Sequence, residues 1–110
     1  MKRREDPLGS LEHIVLLAVV RLGSGAYGMT ERREIENAAG RDISIGAVYT
    51  TLMRMEAKGF LKSWAGEPTA ERGGRAKRHF DITADGRSAL RNTQEIILKM
   101  SAGVGDLQSP

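Results

Sequence analysis

Cysteine is absent from this 110-residue chain, which contains only two histidines, His13 and His79. The absence of cysteine excludes disulfide bonds, cysteine-based zinc sites and thiol nucleophiles. Two histidines are too few for a metal site made of histidine alone, and we expect neither a metal nor a cofactor. No apolar run approaches the roughly 20 residues needed to span a bilayer. The composition, 40% hydrophobic and 28% charged, is typical of one soluble globular domain.

The start of the chain only loosely imitates a secretory signal. Residues 1–4 are Met-Lys-Arg-Arg, and an apolar run follows from Ile14 to Val20. Glu5 and Asp6 stand in what would be the basic region, and Glu12 interrupts the entry to the apolar run. We therefore expect a cytoplasmic protein.

The positive charge of the chain is concentrated in one short segment. The formal net charge is +3, from 17 Lys and Arg residues against 14 Asp and Glu residues. Four of the bases and one of the acids lie between Glu71 and Arg78, so 13 charges of each sign remain elsewhere and cancel. This pattern fits either a solvated basic loop or a surface for an anionic partner.

The apolar periodicity predicts three helices in the first half of the chain. The first begins at Ser10 as its N-cap and ends before a glycine-rich turn at residues 23–25. The second covers about Ala26 to Ala39, and the third begins at the N-cap Ser44 and stops at Gly59. The Gly40 that follows the second helix is a suitable left-handed terminator.

The third predicted helix has two distinct faces. Its apolar stripe, expected to face the core, consists of Ile45, Val48, Leu52 and Met55. The opposite face centres on Thr50, with Gly46 and Arg54 beside it. This face carries few of the long charged side chains usual on a solvated helix, and its small residues permit close approach to a large surface.

A β-hairpin and one more helix complete the pattern. Phe60 to Glu67 and Ala76 to Ile82 have strand character, and the basic segment lies between them. Thr83 is expected to cap a last helix from Ala84 to about Ser101. Leu90, Thr93, Ile97 and Met100 in that helix have the spacing of a helix–helix seam. The predicted fold is therefore mainly α with a small β-hairpin.

Two catalytic interpretations fail. Residues 23–28 read Gly-Ser-Gly-Ala-Tyr-Gly, which has the form of a dinucleotide-binding motif. The apolar run before it has a helical period, however, and no strand with an acidic end follows about 20 residues later. For a hydrolase, no nucleophile or carboxylate pair stands in an identifiable chemical context. We therefore expect no catalytic residues and no enzyme.

The order of the predicted elements is that of a winged helix-turn-helix. Three helices precede a strand, a basic hairpin tip, a second strand and a last helix. In such a fold the third helix enters the major groove of DNA, while Arg and Lys residues on the hairpin, called the wing, neutralise phosphates. Glycines at the tip of the wing allow backbone N–H groups to approach the phosphate chain.

Several stretches of the chain match the pattern of one known family. They read LGSLE at 8–12, AYG at 26–28, GRDISIGAVYTTL at 40–52, KGFL at 58–61, PT at 68–69, ERGGRAKR at 71–78, IT at 82–83 and GR at 86–87. With these stretches the chain resembles the PadR family of bacterial transcriptional regulators, in its compact group with a single C-terminal helix. The resemblance covers about Leu8 to Ser101.

The resemblance implies a homodimer, joined mainly through the first and last helices, that represses transcription by binding an inverted-repeat operator in double-stranded DNA. It also implies release by a small hydrophobic or aromatic effector. The residues expected at DNA are Ser44, Gly46, Tyr49, Thr50, Arg54, Arg72, Gly74, Arg75, Lys77 and Arg78. For Tyr49, a hydroxyl reaching a phosphate is preferred over packing on the flank of the helix. The residues expected at the dimer interface are Leu11, Ile14, Val15, Leu90, Thr93, Ile97 and Met100.

The implied division of the chain is a flexible N-terminal arm (1–7), a winged helix-turn-helix DNA-binding domain (8–83), a C-terminal dimerisation helix (84–101) and a flexible tail (102–110). The chain departs from the family pattern at Glu31, where an aliphatic residue is usual, and at Met53, where an acid is common. Glu31 is expected either to be partly exposed or to pair with Arg32 or Arg33. The alternative function is a ligand-sensing or protein-interaction dimer that keeps the fold without binding DNA.

Overall fold

Helices and one β-hairpin make up the described structure, a computed structural model that covers residues 6–68 and 76–105. The elements, in chain order, are α1 (Ser10–Leu22), a short 3-10 turn (Gly23–Gly25), α2 (Gly28–Ala39), α3 (Ile45–Ala57), β1 (Leu61–Pro68), β2 (Ala76–Ile82) and α4 (Ala84–Ser101). This order confirms the predicted winged helix-turn-helix with a C-terminal helix. Most of the predicted arm and tail, residues 1–5 and 106–110, lies outside the described residues.

Two of the three predicted N-caps are confirmed by their hydrogen bonds. The Ser44 hydroxyl oxygen accepts from the backbone N–H of Ala47 at 3.1 Å, at the start of α3. The Thr83 hydroxyl oxygen accepts from the backbone N–H of Gly86 at 3.0 Å, at the start of α4. Each hydroxyl satisfies one of the N–H groups that have no partner within the first turn of a helix.

The N-cap of α1 is Gly9, so the prediction that Ser10 caps this helix is wrong by one residue. Gly9 has an extended backbone, and its N–H donates to the Oε1 atom of Glu12 at 3.2 Å. A carboxylate near a helix N-terminus also interacts favourably with the helix dipole. Glu12, rather than a serine hydroxyl, therefore stabilises the beginning of α1.

The second helix begins two residues later than predicted, at Gly28 in place of Ala26. Ala26 and Tyr27 have extended backbones. The Ala26 carbonyl accepts from the N–H of Phe80 at 3.0 Å, and Tyr27 forms a β-bridge with His79. These two residues therefore lie against strand β2 as a minimal third strand, because tertiary hydrogen bonds satisfy backbone groups that a helix would have used.

The core lies between α1, the core-facing side of α3 and the inner face of the hairpin. Val48, Leu52 and Met55 of α3 are fully buried, as predicted, and Ile45 at the start of the same stripe is half-buried. Strands β1 and β2 pair antiparallel, with Leu61 opposite Ile82 and Ser63 opposite Phe80. Phe80 is also fully buried, so the hairpin is held to the helices by apolar packing at its base.

Glu31 of α2 is fully buried, and the expectation that it is partly exposed or paired with Arg32 or Arg33 is wrong. No described residue forms a hydrogen bond with either of its carboxyl oxygens. The neighbouring arginine, Arg32, instead interacts with Asp42, at 3.5 Å, and with the backbone carbonyl of Ile43. Burial raises the pKa of Glu31 to about 8, with a smaller contribution from the nearby charge of Glu34. Glu31 is therefore protonated at neutral pH.

Candidate nucleic-acid interface

The face of α3 that points away from the core is accessible over its whole length. Ser44, Gly46, Tyr49, Thr50 and Arg54, the five residues predicted to contact DNA from this helix, are all exposed. Gly46, in the first turn of α3, has no side chain on this face, and Thr50 lies on the same face one turn later. The structure thus leaves all five predicted residues of α3 and its N-cap accessible to a partner.

Arg54 differs from the other four residues because its side chain has an acidic neighbour. Its guanidinium lies 3.9 Å from the Oε2 atom of Glu12 in α1, and the same oxygen accepts from Lys58 at 3.3 Å. The Glu12 side chain is largely shielded, while those of Arg54 and Lys58 are about half exposed. One carboxylate thus holds two cations at the end of α3, and a phosphate approaching Arg54 has to compete with Glu12.

Tyr49 lies on the flank of the exposed face, with its ring against the start of α2. A Cβ atom at Gly28 would lie 2.8 Å from the hydroxyl oxygen of Tyr49, so the ring occupies the space that a side chain at residue 28 would need. Tyr49 is nevertheless 38% exposed. The ring therefore packs between helices, while an exposed part of the side chain remains available to a partner.

Only part of the predicted wing surface belongs to the described residues. Arg72, Gly74 and Arg75 lie outside them. Lys77 and Arg78 are exposed in the first half of β2, on opposite faces of the hairpin because neighbouring residues of a strand alternate. Each of these two cations is connected to the helical part of the fold by contacts that sequence reasoning missed.

Arg78 is connected to α3 through one serine. The Nε–H of Arg78 donates to the hydroxyl oxygen of Ser63 at 3.0 Å, and this hydroxyl donates to the Oε2 atom of Glu56 at 2.6 Å. Ser63 shares the inner face of β1 with Leu61, which is buried. A polar residue on the inner face of a strand needs a hydrogen-bond partner, and this signal was available in the sequence.

Lys77 is connected to the turn before α2 through an aromatic residue. Its ammonium lies 4.7 Å from the centre of the Tyr27 ring and 3.4 Å from the Tyr27 hydroxyl. The rings of Tyr27 and His79 form a T-shaped pair with centres 5.6 Å apart, and the His79 ring also stacks on Trp64 with ring centres 5.9 Å apart. Tyr27, His79 and Trp64 therefore form a continuous row across the outer face of the hairpin.

The residues predicted at the dimer interface divide into two groups. Val15, Leu90 and Thr93 are buried within the chain's own fold, and the Thr93 hydroxyl accepts from the backbone N–H of Leu8 at 2.9 Å. The other members are at least partly accessible: Leu11, Ile14, Ile97 and Met100. In the last turns of α4, Ile97 is 52% and Met100 is 74% exposed, so the apolar stripe of this helix is covered only over its first half.

The described residues show neither a metal site nor a membrane span. Within 6–68 and 76–105, no group of three or more His, Asp or Glu side chains is arranged to hold a metal ion. None of the helices in this part of the chain combines the length and the apolarity needed to cross a bilayer.

Comparison with known proteins gives one family and a consistent fold. The chain matches the model of the transcriptional regulator PadR-like family over residues 16–92. A transcriptional regulator from Clostridium thermocellum superposes with a TM-score of 0.71 at 20% sequence identity, covering 90% of this chain and 93% of that chain. A PadR-like transcriptional regulator from Bacillus cereus gives 0.68 at 21% identity, with 91% and 93% covered.

A PadR family regulator from Eggerthella lenta gives a TM-score of 0.67 at 23% identity, covering 86% of this chain and 82% of that chain. At such identities the likeness to these structures shows the fold alone. A search of curated proteins finds no significant match.

Proposed function

Because this chain belongs to the transcriptional regulator PadR-like family, whose members are DNA-binding regulators and not enzymes, we propose that it is a repressor that occupies an inverted-repeat operator as a homodimer. In this proposal, α3 enters the major groove and the wing neutralises the adjacent phosphates. Such a regulator acts on the chromosome, so the proposal places it in the cytoplasm of a bacterial cell.

One observation carries the DNA-binding part of the proposal: α3, which has an accessible face, is joined by hydrogen bonds to a hairpin with exposed cations. Gly46 and Thr50 leave room for a duplex at the exposed face. Arg78, on the hairpin, is joined to α3 through Ser63 and Glu56. Hydrogen bonds therefore join an exposed cation of the hairpin to the helix proposed for the groove, which supports a combination of phosphate contacts and base contacts.

The homodimer is supported by the apolar surface that α4 leaves uncovered. Ile97 and Met100 of α4, and Val104 in the segment after this helix, are more than half exposed. A soluble monomer rarely presents a contiguous apolar surface of this kind, and a second copy of the chain would cover it. Ile14 of α1 is partly accessible as well, so α1 and α4 both have surface left for a partner.

Release by a small hydrophobic or aromatic effector is supported by a groove between α1 and α2. It has a volume of about 180 Å³ and is lined mainly by apolar side chains, including Ile14, Leu17 and Ile35. Arg21 and Glu34, which form an ion pair at 2.6 Å, also belong to its lining. An apolar cavity of roughly 150 Å³ is enough to bind a molecule the size of benzene.

The proposal is tested by a gel shift with labelled DNA from upstream of the chain's own gene, at low salt, against a random duplex of the same length. We expect the upstream DNA to be shifted, and an excess of the random duplex to displace it poorly. We also expect a footprint with two-fold symmetry. A shifted complex containing two chains would support the homodimer. No shift of either duplex at low salt would contradict DNA binding and favour the ligand-sensing or protein-interaction dimer.

A further inference from the structure

Ser63 connects three elements of the fold through a single hydroxyl group. It donates to Glu56 of α3 at 2.6 Å and accepts from Arg78 of β2 at 3.0 Å, while Ser63 itself belongs to β1. Arginine has only donors and a carboxylate has only acceptors, so the direction of both hydrogen bonds is fixed. Both bonds involve a charged group, which makes them stronger than bonds between neutral partners.

The position of Ser63 along the hairpin gives these bonds their importance. Leu61, two residues earlier on the same face, is buried in the core, and Ser63 is the next inward-facing residue towards the tip. The pairing of the strands is regular from Leu61 to Ala65 and shifts in register between Ala65 and Pro68. Ser63 therefore provides a polar attachment to α3 just before the regular part of the hairpin ends.

The attachment also determines where one cation stands. The Nε of Arg78 is occupied by Ser63, whereas no hydrogen bond joins its terminal nitrogens to another residue in the described part of the chain. Arg78 is exposed, so these nitrogens are available to a phosphate. The Ser63 hydroxyl holds the inner end of the guanidinium, and Glu56 holds the hydroxyl.

We propose that Ser63 is a positioning residue for DNA recognition, which fixes the wing relative to α3 so that Arg78 meets the backbone while the exposed face of α3 lies in the groove. This inference rests on the proposed DNA-binding function. Base contacts and phosphate contacts support each other only when their spacing is held, since phosphate contacts set the register of the protein on the duplex. Loss of the attachment therefore lowers binding to the operator more than binding to random DNA.

The test measures dissociation constants by fluorescence anisotropy for two duplexes of equal length, the upstream DNA bound by the wild-type chain and a random sequence. Ser63→Ala removes both hydrogen bonds, and Ser63→Thr keeps a hydroxyl at the same place. We expect S63A to lose about tenfold in affinity for the upstream duplex, with a smaller loss for the random one. S63T is expected to recover most of the affinity for the upstream duplex that S63A loses.

Arg78→Lys provides a second variant in case S63A folds poorly. Lysine keeps the positive charge but lacks the Nε–H that binds Ser63, so we expect a reduced ratio of specific to random affinity. Because the charge remains, the salt dependence should stay close to that of the wild-type chain. A role in folding alone would lower the thermal midpoint of S63A while leaving this ratio unchanged in the folded protein.

The outcomes separate this inference from the proposed function. If S63A and R78K discriminate between the two duplexes as well as the wild-type chain does, the positioning role is wrong while DNA binding stands. If the wild-type chain binds neither duplex, both proposals are wrong. A lower ratio in both variants together with recovery in S63T supports the positioning role.

Discussion

The ring of Tyr49 occupies the space beside Gly28, with its hydroxyl oxygen 2.8 Å from the place where a Cβ atom of residue 28 would lie. Gly28 is the first residue of α2 and is buried, and Tyr49 belongs to α3. The glycine therefore allows α3 to lie close to the start of α2. The spacing of these two helices, which defines a helix-turn-helix, depends on the absence of a side chain at this residue.

Gly28→Ala is expected to destabilise the fold by about 1–3 kcal/mol, because the added methyl group forces the Tyr49 ring or one of the helices to move. The measurement is the free energy of unfolding from denaturant titration. Gly25→Ala is the matched control, since a Cβ atom there would meet no atom within 4 Å. Equal stability of the two variants would show that the ring moves aside without cost.

The sequence predicted the elements well because each has a local signal. Ser44 and Thr83 were recognisable as N-caps, and the stripe of α3 through Val48 and Leu52 faces the core as its spacing requires. The surface contacts were harder, because they join residues that are far apart in the chain. Nothing local to Arg54 shows that the carboxylate of Glu12, 42 residues earlier, lies 3.9 Å from its guanidinium.

A substitution within a regular pattern was also difficult to interpret. Glu31 was assigned to solvent or to a neighbouring arginine because an unpaired carboxylate is costly to bury. The structure avoids that cost by another route, since burial raises the pKa of Glu31 to about 8 and the group is buried in its neutral form. A sequence pattern does not show which of these two solutions a fold adopts.

Glu31 is expected to make the stability of the protein fall as the pH rises. The pKa of its carboxyl group is about 8 in the folded chain and close to the ordinary value of 4.5 in the unfolded chain. Between these values the unfolded chain has released a proton that the folded chain retains. The free energy of unfolding therefore falls by up to about 1.4 kcal/mol per pH unit from this group, and the decrease ends above pH 8.

Glu31→Gln removes this titration. The free energy of unfolding of the variant, relative to that of the wild type, should therefore rise from pH 5 to pH 8. Denaturant titrations at several pH values measure it. Glu95→Gln, at an exposed residue of α4, serves as the control and should run parallel to the wild type. A constant difference between wild type and E31Q over this range would contradict a raised pKa.

Glu12→Gln is expected to tighten DNA binding at low salt by a few fold. The substitution removes the carboxylate that holds Arg54 and Lys58, at 3.9 and 3.3 Å, and leaves both cations free to meet phosphates. Anisotropy titrations over a range of salt concentrations measure the effect. Glu95→Gln changes the net charge equally and is the control. Weaker binding by E12Q would mean that Glu12 orients Arg54 for DNA instead of competing with it.

Ile97→Glu and Met100→Glu are each expected to shift the chain from dimer to monomer. Both residues are more than half exposed on the uncovered part of the α4 stripe, and a charge there would be buried without a partner in the proposed interface. Sedimentation velocity at several concentrations measures the change. Lys99→Glu, about 200° around the helix from Ile97, is the control. A monomeric wild-type chain would contradict the proposed interface directly.

Arg72→Ala combined with Arg75→Ala is expected to weaken binding to every DNA sequence alike. Four of the chain's 17 Lys and Arg residues fall between residues 71 and 78, and the charges in the rest of the chain cancel. This segment therefore supplies the net attraction for a polyanion. Each phosphate contact that is lost reduces the slope of log affinity against log salt by about 0.9, because fewer counterions are released from the duplex. Anisotropy at four or more salt concentrations gives the slope for the wild type and the double variant.

Thr50→Ala, on the exposed face of α3, is the contrasting variant and should change the preference for the upstream duplex while leaving the slope intact. An unchanged slope in the double variant would mean that Arg72 and Arg75 do not contact the backbone, and DNA attraction would then have to come from Lys77 and Arg78 in the first half of β2.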